Sequence, residues 1–337
     1  MNSFGRLFRV SLFGESHGEV VGAVIDGCPA GLDLLEEDLQ FDLERRQPKK
    51  QGTTARKEPD EAWIKSGVYN GKTTGTPILI YFKNTDVRSQ DYEIFRFIPR
   101  PGHADFTADR KFKGFNDPRG GGHFSGRLTA PLVAAGVIAK KIILPVRITS
   151  SIIEVYGTNR IEEAVETAEK TGDSVGGLLE CKVDRVPVGL GEPFFDSVES
   201  LISHIVFAIP GIKGIEFGAG FRGCRMRGSE FNDNIVDKQG KTAANHSGGI
   251  NGGLTNGNKV IFRVAVRPTA SISKTQQTLN LKTNKQVKLN ITGRHDTCFA
   301  LRVPVILEAV TAIVFADLML FEQKTPKVSG ERGDDGS

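Results

Sequence analysis

Phe13 to Pro29 reads FGESHGEVVGAVIDGCP, and the course of the chain after its serine separates two folds. Gly14-Glu15-Ser16-His17-Gly18 fits the G-x-S-x-G pattern of a hydrolase nucleophile elbow, which needs a strand running into the serine and a helix leaving it. The incoming strand is present, because FRVSLF at Phe8 to Phe13 is strand-like. The outgoing helix is not. EVVGAVIDG is rich in β-branched residues, carries Gly18, Gly22 and Gly27 and lacks a helical apolar period, so it predicts a second strand. Two strands joined by a turn that bears Ser16 and His17 are expected, with the hydrolase as the competing reading.

The same texture continues outward. Glycine is abundant (39 residues) and punctuates many short β-branched runs, as in antiparallel sheet with hairpins and long loops. Leu35, Leu39 and Leu43 stop before Pro48 and predict a short amphipathic helix with Arg45 and Arg46 at its C-terminal end. A second helix is expected from Thr129 as N-cap, with Pro131 in the first turn, through LVAAGVIAKKII. A third spans about Pro304 to Phe321, with apolar residues nearly all round, the mark of a buried helix. Ile161 to Lys170 and Ser197 to Phe207 read as further helices. With neither a repeat nor a linker visible, residues 1–323 read as one α+β domain and residues 324–337, KTPKVSGERGDDGS, as a disordered tail.

Apolar content of 39% allows a large core, while unbroken apolar stretches such as AIVFA at Ala312 to Ala316 fall far short of the roughly 18–20 residues of a membrane helix. MNSFGRLFRV lacks the apolar region of a signal peptide. Cys28, Cys181, Cys224 and Cys298 show no C-x-x-C or metal-ligand spacing, which predicts free thiols in a reducing cytoplasm and no metal. The net charge of +4 is unevenly spread: Arg45, Arg46, Lys49, Lys50, Arg56 and Lys57 crowd one segment, and Arg88 to Arg127 holds a second cluster. Such clusters suit a small phosphorylated ligand, or form a solvated basic face. Interleaved aromatics and a base-reading helix motif are missing, so DNA and RNA are disfavoured.

Two further segments carry chemistry. RPGHADFTADRKFKGFNDPRGGGHFSGRLTAP, Arg100 to Pro131, holds His103, His123 and a triple glycine before Ser125 and a helix start, a combination that can cradle phosphate or form a plain loop. GRHDTC, Gly293 to Cys298, places Arg294 and Asp296 on one side of an extended segment, as an ion pair or as a proton acceptor beside an anion site. NHSGGINGGLTNGN from Asn245 and RPTASIS from Arg267 offer amides and hydroxyls.

GESHGEVVGAVIDGCP, GGGHFSGRLTAPLVAAGVI and GRHDTCFALRVPVILEA resemble, in order and spacing, the three signature segments of the chorismate synthase family. LERRQP, RPGHAD, NHSGGINGG and RPTASIS resemble further parts of it, so the likeness runs from about Phe4 to Phe321. It implies a β-α-β sandwich, central helices between two antiparallel sheets, assembled as a homotetramer. The implied reaction is the last step of the shikimate pathway: a 1,4-anti elimination of phosphate from 5-enolpyruvylshikimate 3-phosphate, giving chorismate, with reduced FMN required and no net redox change. Some members reduce their own flavin with NADPH. An external flavin reductase is expected here, with NADPH as an indirect reductant.

By the same resemblance, His17 serves the reduced flavin, His103 is the general acid toward the leaving phosphate, Asp296 helps deprotonate the flavin, and Ser16 and Ser125 relay protons. Arg45, Arg46, Arg100, Arg127 and Arg294 match residues that bind substrate anions or the flavin phosphate. His123, Phe124, Ser125, Gly252, Arg267, Pro268, Thr269, Ala270 and Ser271 match positions that contact FMN. His123-Phe124 stands where relatives commonly have Arg-Ser, Lys49 and Lys50 stand in place of an arginine-containing insert, and Thr297 replaces a commoner proline. A non-catalytic polyanion binder, whose affinity would fall steeply with salt, is the rival from another class.

Overall fold

The computed structural model describes residues 2–48, 51–54, 58–86, 90–291, 293 and 295–324. In it the chain after Ser16 is a strand: Arg9–Gly14 and Val20–Asp26 pair antiparallel, Phe13 opposite Gly22 and Gly14 opposite Val21. Ser16 and His17 sit in the turn between them, and Ser16 is fully buried. With no helix after the serine and no exposed hydroxyl, the nucleophile elbow is excluded.

Those strands belong to a five-stranded sheet ordered Ser3–Phe4, Arg9–Gly14, Val20–Asp26, Ile78–Lys83, Trp63–Ser66. A four-stranded sheet runs Ile212–Phe217, Val260–Val266, Gly177–Asp184, Arg147–Val155. Every pairing in both is antiparallel. Ile78, Ile80 and Phe82 of the first sheet and Val260, Phe262, Val264 and Val266 of the second are buried at every other position, so each sheet turns one apolar face inward.

Two helices fill the space between. Thr129–Ile142 packs on the first sheet, Val303–Lys324 on the second, and the two pack on each other. Their contact is close enough that a Cβ on Gly136 would stand 2.3 Å from the Ala309 Cβ, which only glycine permits. Glu37–Arg46 and Val198–Val206 pack beside them. This is the expected β-α-β sandwich, and one contiguous apolar core joins its layers. The segment Phe299–Gln323 is long and apolar enough to cross a membrane, but 83% of its most apolar window is buried inside the protein. Asp317 on this helix accepts the backbone N–H groups of Arg6, Leu7 and Phe8, which ties the edge of the first sheet to the core.

Ile161–Lys170 forms with the predicted bounds. Thr129 is not the N-cap expected of it. It is the first helical residue, its hydroxyl donates to the Gly126 carbonyl, and a 3₁₀ turn, Gly126–Leu128, precedes it. The side chain that caps this start is Ser125, which accepts the Arg127 N–H at 3.2 Å. Lys49, Lys50, Arg56, Lys57, Arg88, Arg294 and residues 325–337 of the expected tail lie outside the described residues.

Candidate active site

The hairpin turn at His17, the Arg100–Asp105 loop, the glycine run before Ser125, the Arg267–Ser271 segment and the stretch around Asp296 all reach one cavity of about 680 Å³. That volume lies within the range of small-molecule and cofactor sites.

His17, 8% exposed, stands edge-on to Tyr92 at 5.1 Å between ring centroids. A Cβ at Gly120 would lie 2.3 Å from His17 Cδ2. Gly120, Gly121 and Gly122 all have positive φ, so the triple glycine lets the backbone bend against the imidazole. The Ser16 N–H donates to the Gly122 carbonyl at 3.1 Å, which fixes the hairpin turn to that run. Asn84 braces the same turn, its amide donating to the Glu15 and Gly18 carbonyls and its Oδ1 accepting from Arg127 Nε at 2.9 Å.

Arg46 ends the first helix and Arg127 opens the central one, and both guanidiniums are buried against Asp60. Each oxygen of Asp60 takes one arginine. Burial opposes ionising this carboxylate, but the two guanidiniums outweigh it and hold its carboxyl below the usual range. Asp60 adopts φ 51°, a left-handed conformation that aspartate tolerates better than most side chains.

Arg100, also on the cavity wall, is paired through two bonds with Asp105 and lies over Phe95 at 4.5 Å. His103 Nε2 and Ser271 Oγ share a hydrogen bond of 2.7 Å. Arg267 reaches across to the Gly102 carbonyl and so joins the two loops that carry this pair. Burial, with Arg100, Arg267 and His295, pushes the His103 imidazole down to about 3 against the pull of Asp105, so the ring is neutral at pH 7 in this state. Asp296 is engaged on both oxygens: Oδ1 accepts the Thr54 N–H at 2.8 Å and Oδ2 accepts Arg302 Nη1 at 3.2 Å.

His17, His103, Asp296, Ser125, Phe124, Arg46, Arg100, Arg127 and Arg267 to Ser271 thus come together as expected. Four other residues named from the sequence do not line this cavity. Arg45 turns away and pairs with Glu308 and Asp42, because one residue along a helix rotates a side chain by about 100°. His123 donates from Nδ1 to the Gly14 carbonyl and does not line the cavity. Ser16 is buried within the hairpin turn, and Gly252 sits in a separate hairpin at φ 61°. Asp60, Asn84, Tyr92 and Arg302 were not singled out from the sequence. Asp60 had one readable signal, an acidic pair, Glu58 and Asp60, beside a basic stretch.

The described lining residues include seven Arg and Lys side chains and seven Asp and Glu side chains, so the cavity is no simple well of positive charge. Recognition of an anion here would rest on the direction of held donors more than on net field. Arg46 Nε, Asn116 Oδ1, Thr269 Oγ1 and His295 Nε2, all from lining residues, are buried without a hydrogen-bond partner among the described residues. Buried polar atoms are normally satisfied, and their clustering here fits a cavity built around a polar ligand.

The profile of the chorismate synthase family matches residues 8–320. A chorismate synthase of Chitinophaga pinensis is 60% identical over 329 residues, covering 97% of this chain and 99% of that one. One from Dehalococcoides mccartyi is 44% identical over 359 residues, covering 97% and 99%. A crystal structure of chorismate synthase superposes with a TM-score of 0.73 at 26% identity, covering 95% of this chain and 93% of that one. With its sandwich of two sheets and its signature segments gathered at one cavity, the chain belongs to the chorismate synthase family.

Proposed function

We propose that this lyase converts 5-enolpyruvylshikimate 3-phosphate to chorismate by a 1,4-anti elimination that releases phosphate and a ring proton and requires reduced FMN. The observation that carries the reading is the presence of His17 and His103 on one cavity whose walls also hold Arg46, Arg100 and Arg127. The residues fit a flavin: Phe124 offers an exposed ring, the Arg267 to Ser271 segment offers donors, and buried polar atoms of the lining lack partners. Reduced FMN, when bound, supplies electron density transiently and takes up the ring proton.

The chain's own residues bind, hold and move protons. Arg46 and Arg127, fixed by Asp60, and Arg100, fixed by Asp105, orient the substrate's phosphate and carboxylates. His103 gives a proton to the departing phosphate. Its imidazole is neutral in the free protein, and a phosphate dianion beside it reverses the local field and loads it with the proton it donates. Ser271, hydrogen-bonded to His103, holds the ring in place. His17 would stand against the anionic charge of the reduced cofactor, and Asp296, with Ser125, would accept and pass on the proton lost in the elimination. The chain works as a homotetramer in the cytoplasm, and its flavin is reduced by an external reductase, with NADPH as the indirect reductant.

An anaerobic assay with photoreduced FMN and 5-enolpyruvylshikimate 3-phosphate tests the reaction. Stoichiometric release of phosphate with chorismate is expected. Release that proceeds equally with oxidised FMN, or none with reduced FMN, would falsify it.

A further inference from the structure

His103 and Asp296 have assigned work, but a third ionisable group stands between them. His295 lines the cavity next to Asp296 and lies close enough to His103 to help depress its proton affinity. Each oxygen of Asp296 accepts a bond, from the Thr54 N–H and from Arg302, whereas His295 Nε2 is buried with no hydrogen-bond partner among the described residues. Gly293 lies against that edge of the ring. A Cβ at Gly293 would stand 3.1 Å from His295 Cε1 and 3.2 Å from Nε2, so any side chain there would cover the atom. Burial and Arg100 work against the charged imidazole, and Asp296 favours it only in part, so the ring is a neutral hydrogen-bonding group.

We propose that His295 is a further ligand-contacting residue, whose Nε2–H donates to an oxyanion of the substrate or of the cofactor bound in this cavity. The inference rests on the reading that anionic ligands occupy the site. A buried ring nitrogen with no partner is costly to keep, and a ligand oxygen at the Gly293 side of the ring satisfies it.

Calorimetric titrations of wild type, His295→Ala and His295→Gln with inorganic phosphate, FMN and 5-enolpyruvylshikimate 3-phosphate, each alone, test it. The amide nitrogen of glutamine can replace Nε2, and alanine cannot. At least one ligand should bind about tenfold more weakly to His295→Ala, the usual scale of one hydrogen bond to a charged group, and should recover to within about threefold in His295→Gln. Melting temperatures should stay close to wild type in both variants. Weakening confined to the FMN arm assigns the bond to the cofactor, and weakening confined to the other arms assigns it to the substrate. Three unchanged affinities in His295→Ala overturn the proposal, as does a loss that glutamine fails to rescue. If wild type itself binds none of the three ligands, the anion-site reading falls and this inference falls with it.

Discussion

Asp60 and Glu308 are both buried carboxylates that gather two basic side chains, and they differ in what stands around them. Glu308, on the long core helix, takes Arg45 through two bonds of 2.7 Å, Lys140 at 3.0 Å and the Ser150 N–H at 3.2 Å. A second carboxylate, Asp42, accepts from the same arginine and lysine, so two acids answer two bases. Asp60 sits on a loop in a left-handed conformation and bridges two guanidiniums by itself at the cavity wall. The first cluster locks three helices to each other and to a strand of the second sheet. The second leaves guanidinium charge beside a space large enough for a ligand. Ion pairing alone therefore does not mark a site in this protein; a buried pair whose guanidiniums also line a cavity does.

The largest break between the two regions is expected at the histidines, which belong to the Asp60 side. His17→Ala and His103→Ala should each lower turnover about 10²- to 10⁴-fold, the usual cost of losing a general acid or base, while folding stays nearly intact. Loss of His17 should alter the absorbance spectrum of bound reduced flavin. Loss of His103 should leave that spectrum alone and slow phosphate release. His123 points at the Gly14 carbonyl and is the control: His123→Ala should cost far less. An effect of His123→Ala as large as that of His103→Ala would sink the assignment.

Next come the two carboxylates themselves. Asp60→Asn keeps the shape and the tolerance of positive φ but leaves two buried guanidiniums without their counterion, whereas Glu308→Gln leaves Arg45 and Lys140, both partly exposed, with Asp42. Asp60→Asn should lose about 3–5 kcal/mol of stability in urea unfolding, the range for stranding a buried charge, and Glu308→Gln clearly less. Only Asp60→Asn should also raise KM, by tenfold or more, because only its arginines face the cavity. A matching rise in Glu308→Gln, measured well below its unfolding midpoint, would erase the distinction drawn here.

A smaller effect follows from pH. The His103 imidazole is held down to about 3 in the folded chain and titrates near 6.5 when unfolded. Below pH 6.5 the unfolded chain therefore takes up a proton that the native state refuses, and stability falls as pH drops. Asp60 and Asp105, also held below their usual range, add a loss of the same sign only near and below pH 4. Between pH 6.5 and 4.5 wild type should lose about 1–2 kcal/mol that His103→Gln retains, read from urea midpoints at each pH. Parallel curves for the two proteins would show that His103 is not the titrating group.

Much of this architecture was legible before any coordinates. The β-branched run after His17 excluded the elbow, and the all-round apolar pattern of Pro304 to Phe321 marked the buried helix, because both signals are local and periodic. The signature segments gave most of the cavity. What stayed hidden was set by tertiary direction. Arg45 and Arg46 read as one basic patch, and only the packing of their helix sends one to Glu308 and the other to Asp60. Asp60 itself lies in a loop without period, so nothing local shows that its carboxylate is buried. His123 and Ser125 sit two residues apart in one motif, yet a positive-φ glycine run aims the first at the Gly14 carbonyl and makes the second a helix cap.

The neighbouring arginines give the finest test of the comparison, and the smallest expected change. Arg45 is 35% exposed at its side chain, so water screens its pair with Glu308, and Lys140 remains as a second cation on the same carboxylate. Replacing it as Arg45→Met keeps much of the stem's apolar contact and should cost about 1 kcal/mol or less in stability, with kcat and KM within about twofold of wild type. Arg46 is 2% exposed, shares Asp60 with Arg127, and its backbone carbonyl accepts Arg302 Nε at 3.2 Å. Arg46→Met removes a cavity-facing guanidinium and should raise KM at least tenfold, the scale of a lost charged hydrogen bond. Steady-state kinetics on the pair separates the two outcomes. A rise in KM for Arg45→Met near that of Arg46→Met would mean that the Glu308 cluster reaches the ligand, and that one residue's rotation along the helix does not divide structure from function here.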